Sequence, residues 1–159
     1  MRNISLILLG MLFLIGSPGQ TDAAQSPEEI FNSIVKIRAT ISKEAESAGT
    51  LGTEREGNGV VIDSEGTILT AGYLIRDARS IEVTAHDGKS ISAKLMGYDF
   101  STGFGLLRTE KNLGLLPITL GRSSAVKAGD AILVAAHGGE SAAQLALVVS
   151  RGEFAGFWE

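Results

Sequence analysis

The sequence predicts an all-β fold, an antiparallel barrel or sandwich, on three observations. At least six short runs carry β-type residues in apolar–polar alternation. Turn compositions rich in Gly, Asp and Ser separate them roughly every 6–12 residues. No helical pattern of about 10–15 residues lies between the runs, so the strand–helix–strand alternative fails. With 20 glycines and only 3 prolines, the chain favours many tight turns over long helices.

In order along the chain, Ser26-Pro27-Glu28-Glu29 can open one helical turn, with Pro tolerated and the acids suited to its N-terminal dipole. Val35, Ile37, Ala39 and Ile41 then share one face against Lys36, Arg38 and Thr40, a half-buried strand. The polar, glycine-bearing stretch 42–57 reads as an exposed loop, and Gly57-Asn58-Gly59 as a turn into the next strand. Val60-Val61-Ile62 runs into the turn Asp63-Ser64-Glu65-Gly66, and 67–71 returns. Ile81, Val83 and Ala85 alternate, Asp87-Gly88 signals a two-residue hairpin, and Ile91, Ala93 and Leu95 come back. Apolar runs at 104–107 and 118–120, and strands opening after Asp130 and at Gln144, complete the set. Gly129-Asp130 makes a sharp corner in the connection 120–130.

The two ends read differently. Residues 1–24 hold Arg2, an apolar run from Ile4 to Ile15, Ser17-Pro18-Gly19 and a small-residue site near Ala23-Ala24, the anatomy of a cleaved signal peptide. The run is short for a span of about 20 residues, so no lasting membrane anchor is expected. The close of the sequence bears Phe154, Phe157 and Trp158, a cluster that either docks on the body of the domain or marks the sequence as a fragment, and a fragment is the expectation. At 159 residues there is room for about one domain with a real core. Cysteine is absent, which excludes disulfides, thiolate nucleophiles and cysteine zinc sites. A net charge of −4 gives no basic footprint for nucleic acid.

Candidate chemistry is sparse. His86 sits on a polar face beside Asp87-Gly88 and reads as solvent-facing, while His137 can face a cleft; with no accompanying ligand cluster, neither a metal nor a cofactor is expected. Ser123, Ser124 and Ser150 read as ordinary loop and strand-end serines, and Gly57-Asn58-Gly59 lacks the Lys-Ser/Thr and helix of an anion loop. The stretch ILTAGYLIRD, 68–77, is the exception. A strand ends in a small pair before Tyr73, a place where backbones approach closely and chemistry is often set up.

Three segments carry a specific resemblance: GNGVVIDSEGTILTAGYLI from Gly57, IEVTAHDGKSISAKLMGYDFSTGFGLLRT from Ile81, and LPITLGRSSAVKAGDAILVAAHGG from Leu116. In order and turn residues they resemble the trypsin-like domain of the HtrA/DegP serine proteases, from roughly Ile34 to Ser150. The resemblance implies two β-barrels with a cleft between them: residues 31–109 as a complete first barrel and 116–159 as the start of a second. The family carries its catalytic histidine after a Leu-Thr-Asn type strand end; the matching position is Tyr73. Its aspartate lies in an Asp-Pro-x-Thr-Asp-Leu-Ala-Leu-Leu segment; in DFSTGFGLL, Asp99 and Thr102 are kept but the aspartate position is Gly103. The Gly-Asn-Ser-Gly-Gly segment of the nucleophile has no counterpart in the sequence.

Serine proteolysis needs a base that takes and returns a proton near neutral pH. A phenol with a pKa of about 10 is poorly matched to that task, and glycine cannot orient a base. The expectation is a pseudoprotease: a periplasmic or secreted, non-catalytic domain that binds peptide or unfolded protein. The alternatives are an active endopeptidase whose serine lies beyond these residues, and a purely structural envelope protein.

Overall fold

A computed structural model of the chain describes residues 25–138 and 143–147, the last three by backbone alone. The leader stretch, Ser150 and the aromatic cluster Phe154, Phe157 and Trp158 lie outside the described residues. The elements are α1 Pro27–Asn32, β1 Ile34–Ile41, α2 Ala48–Leu51, β2 Glu54–Val61, β3 Thr67–Ala71, α3 Gly72–Ile75, β4 Ala78–Thr84, β5 Ser90–Tyr98, β6 Phe104–Thr109, β7 Ala131–Ala135 and β8 Ala143–Leu147. Strands β1 to β6 close an antiparallel barrel in the order β1-β2-β3-β6-β5-β4, and β7 and β8 pair as a separate two-stranded sheet. The all-β expectation holds.

Side-chain alternation fills the barrel. Val35, Ile37, Ala39 and Ile41 of β1 point inward, joined by Ile68, Val83 and Leu107. Burying each of the larger aliphatic groups contributes about 1.5–3 kcal/mol relative to leaving it in water. Strand β1 pairs on both sides, with β2 and with β4, so closure leaves it no free edge. The outer face of β1 is polar: Glu56 receives Lys36 at 3.1 Å and Arg38 at 2.6 Å, all well exposed. At the N-terminal end Ser26 and Glu29 form a reciprocal capping box on α1.

Four local expectations differ from the structure. The stretch 42–57 is not one loop: it contains α2, and β2 begins at Glu54, paired with Thr40, with Arg55 turned inward opposite the small Ala39. Gly57-Asn58-Gly59 is therefore inside a strand rather than a turn. A Cβ on Gly59 would sit 2.6 Å from Ile68 and 2.7 Å from Ile37, so the residue is small for packing. The hairpin at Asp87-Gly88 is a three-residue loop. Only Gly88 takes positive φ, at 82°, while the Ala85 carbonyl accepts from Gly88 and the Ala85 N–H donates to Lys89. That is a type I turn closed by a glycine bulge, not the two-residue primed turn. The run 118–120 forms no strand; it is held by the Ile118 N–H on the Val61 carbonyl at 2.9 Å.

Candidate functional site

Strand β3 ends at Ala71 and turns at once into the single turn α3. Leu74 and Ile75 are buried and anchor the turn, whereas Tyr73 stands 55% exposed. Gly72 permits the close approach. A Cβ there would lie 1.7 Å from Cε2 of the Tyr98 ring, so any side chain would push α3 off β5. The Gly72 N–H donates to the Gly103 carbonyl at 2.7 Å. Tyr73 and Gly103, 30 positions apart in sequence, thus flank one hydrogen bond at the same rim of the barrel.

Gly103 sits at φ 72°, with nothing within 4 Å of where a Cβ would point. The loop before it is self-contained. Asp99 accepts from the Ser101 N–H at 2.9 Å, the Ser101 hydroxyl at 2.8 Å and the Thr102 hydroxyl at 2.7 Å. These bonds, Thr102 first, hold its carboxyl below the usual aspartate range. The Asp99 carbonyl takes the Gly103 N–H at 2.8 Å. Asp99 shapes the turn, and its acceptor sites are engaged there.

Beneath Tyr73 lies a residue that sequence reading missed. Arg55 is only 5% exposed. Its Nη1 donates to the carbonyls of Tyr73 at 2.7 Å and Arg76 at 3.0 Å. Its Nη2 reaches the Ser47 hydroxyl at 2.8 Å and carbonyl at 3.3 Å, and the Gly52 carbonyl lies 3.2 Å from Nε. The planar fork suits several acceptors at fixed angles. It ties the end of α3 to α2 and its flanks. Asp77, at φ 59°, follows α3 and accepts the Ser47 N–H at 3.2 Å. That bond, aided by Arg76 and Arg55, lowers the Asp77 pKa. The signal for Arg55 in the sequence was faint: Arg between two glutamates in EREG, one inward step in a β alternation.

Between the barrel and β7 runs a cleft of about 400 Å³, lined chiefly by Val60, Leu69, Ala71, Phe104, Ile118 and Leu133. Asn58 and Thr70 supply polar groups, the Thr70 hydroxyl donating to the Asn58 carbonyl at 2.8 Å. His137 is half-buried near this junction: its N–H donates to Oδ1 of Asn58 at 3.0 Å and its Nε2 lies 3.4 Å from the Ala85 carbonyl. His86 is exposed, and Ser123 and Ser124 lie in an exposed 3₁₀ turn. The site residues read from the sequence therefore separate into Tyr73, Gly103, Asp99 and Thr102, gathered at one rim, and the histidines and serines elsewhere.

This geometry meets its counterparts among known proteins. The profile of the trypsin-like peptidase domain matches residues 57–159. A DegP-like periplasmic serine endoprotease of Pseudomonas fulva is 34% identical over 98 residues, 59% of this chain and 20% of that protein. A DegP-like protein of Chlamydia pneumoniae is 27% identical over 119 residues, 72% of this chain and 23% of its own. The periplasmic pH-dependent serine endoprotease DegQ of Escherichia coli is 33% identical over 75 residues, 46% of this chain and 16% of that protein. The chain thus spans about a fifth of the length of these relatives. A solved HtrA-type protease, AlgW with a tripeptide, shares the fold with a TM-score of 0.66 at 22% identity, over 80% of this chain and 40% of that one. The chain belongs to the trypsin-like peptidase domain family.

Proposed function

We propose that this chain is a pseudoprotease domain that binds peptide or unfolded protein in the bacterial periplasm and does not cut it. The observation that carries the reading is the pairing of Tyr73 with Gly103 across the 2.7 Å bond from Gly72. These are the positions that match the family's base and its orienting carboxylate. A phenol at Tyr73 is a poor proton acceptor at neutral pH, and Gly103 offers nothing to orient an imidazole. A fold outlives its chemistry readily, since activity resides in a few side chains. The apolar cleft beside them remains suited to holding a chain segment.

Residues 31–109 are read as the first barrel unit and 116–159 as the opening of the second. The leader composition and the periplasmic names of the relatives support the compartment. The test is fluorescence anisotropy of labelled, reduced casein with the full-length mature protein, followed by electrophoresis of the mixture. Saturable binding with the casein intact is expected. Absence of binding, or fragments accumulating with time, would overturn the reading.

A further inference from the structure

We propose a second binding site, on the barrel itself, for a polypeptide segment that presents an apolar side chain next to a lysine or arginine. It goes beyond the cleft reading and shares no lining residue with the cleft.

The site is a cavity of about 370 Å³ on the far flank of the α3 turn, within the size range of small-ligand pockets of about 300–1,000 Å³. Ile75 closes its base, and Leu95, Tyr98 and Phe100 form its apolar walls. The walls are exposed for a structural reason. The register of β5 against β6 shifts between Leu95 and Gly97, a bulge, and bulges re-aim side chains at barrel rims. Leu95 emerges 49% exposed and Phe100, just past the strand, 74% exposed. Tyr98 and Phe100 meet edge to face, with ring centres 4.3 Å apart. A third ring can join such a pair with a further favourable edge or face contact. Exposed apolar side chains grouped at one place mark interaction surfaces.

The rim sets the charge of the occupant. Glu46 is 89% exposed and pairs with the Arg76 guanidinium at 3.4 Å. Asp77 lies 3.9 Å from the same arginine. Among the lining residues two carboxylates face one cation, Arg76; the buried Arg55 also acts on Asp77, so the negative charge left to face solvent is that of Glu46, which reaches outward. A basic residue flanking the inserted apolar group complements that rim; an acidic one is repelled.

Fluorescein-labelled Ser-Gly-Lys-Phe-Lys-Gly-Ser and Ser-Gly-Glu-Phe-Glu-Gly-Ser, titrated with the full-length protein, test the proposal by anisotropy. The basic probe is expected to bind at least tenfold tighter at low salt, with the margin shrinking as salt screens the rim. Phe100→Ala is expected to weaken it about tenfold, and Glu46→Lys to reverse the preference. Both side chains are exposed, so folding is retained. Leu133→Ala, which alters the cleft lining on β7 and no residue lining the cavity, is expected to leave both affinities unchanged. Equal affinity for the two probes, indifference to both Phe100→Ala and Glu46→Lys, or loss of binding in Leu133→Ala would overturn it.

Discussion

Replacing Arg55 by methionine removes the buried guanidinium that ties the Tyr73 turn to α2 and its flanks. The methylene stem is conserved, so the effect isolates the guanidinium. Three of its bonds are short: to the Tyr73 carbonyl at 2.7 Å, the Ser47 hydroxyl at 2.8 Å and the Arg76 carbonyl at 3.0 Å. A buried acceptor left unpaired costs about 1–3 kcal/mol. Against this stands the relief of no longer burying a charge that touches only neutral oxygens. With about 1 kcal/mol lost per short bond after that offset, Arg55→Met is expected to destabilise the barrel by about 3 kcal/mol. Urea unfolding followed by far-UV circular dichroism reads it directly, as a midpoint lowered by more than 1 M at a slope of about 1–3 kcal/mol/M. Arg55→Lys keeps the charge but not the fork, and is expected to recover less than half of the loss. A methionine variant within about 0.5 kcal/mol of the parent, a surface-like effect, would refute the clamp.

Gly72→Ala is expected to cost about 1–3 kcal/mol by overpacking against Tyr98, read by thermal unfolding, and Gly72→Ala with Tyr98→Ala to cost less than the sum of the two single changes. The Asp77 carboxyl titrates lower in the folded protein than its ordinary 3.8. Its contribution is therefore complete at neutral pH and is lost as pH falls below about 4. The stability gap between the parent and Asp77→Asn should accordingly narrow across that window and stay constant from pH 5 to 7. Glu56→Gln, which breaks only exposed ion pairs, is expected to leave the urea midpoint unchanged. Finally, in Tyr73→His with Gly103→Asp the space at 103 is open to the carboxylate, at the cost of backbone strain from its φ of 72°. The imidazole pKa, followed by proton NMR, should then lie above that of Tyr73→His alone by roughly 1 unit; equal values would mean the two positions do not face each other.

Most of the barrel was legible because its strands are half-buried and their alternation is strict, as from Val35 to Ile41. The turns were legible as places but not as types: Asp87-Gly88 marks a hairpin, but the bulge depends on where the flanking strands twist. Arg55 was illegible because its burial follows from the β1–β2 register and the space above Ala39, neither of which local composition encodes. The bulge that exposes Leu95 is invisible for the same reason: period-two patterning assigns it to the interior with Ala93. The rim shared by Tyr73 and Gly103 was reached through resemblance alone, since two residues 30 apart say nothing locally about adjacency. What the fold adds is the reason they meet: Gly72, forced small by Tyr98, brings one backbone to the other.

The central claim is that this domain holds chains without cutting them. The most direct measurement is casein cleavage by the unmodified full-length mature protein, run beside labelling with a serine-reactive fluorophosphonate. The account predicts casein that stays intact over a day at neutral pH and no labelled band. Steady fragment release that the fluorophosphonate abolishes would contradict it.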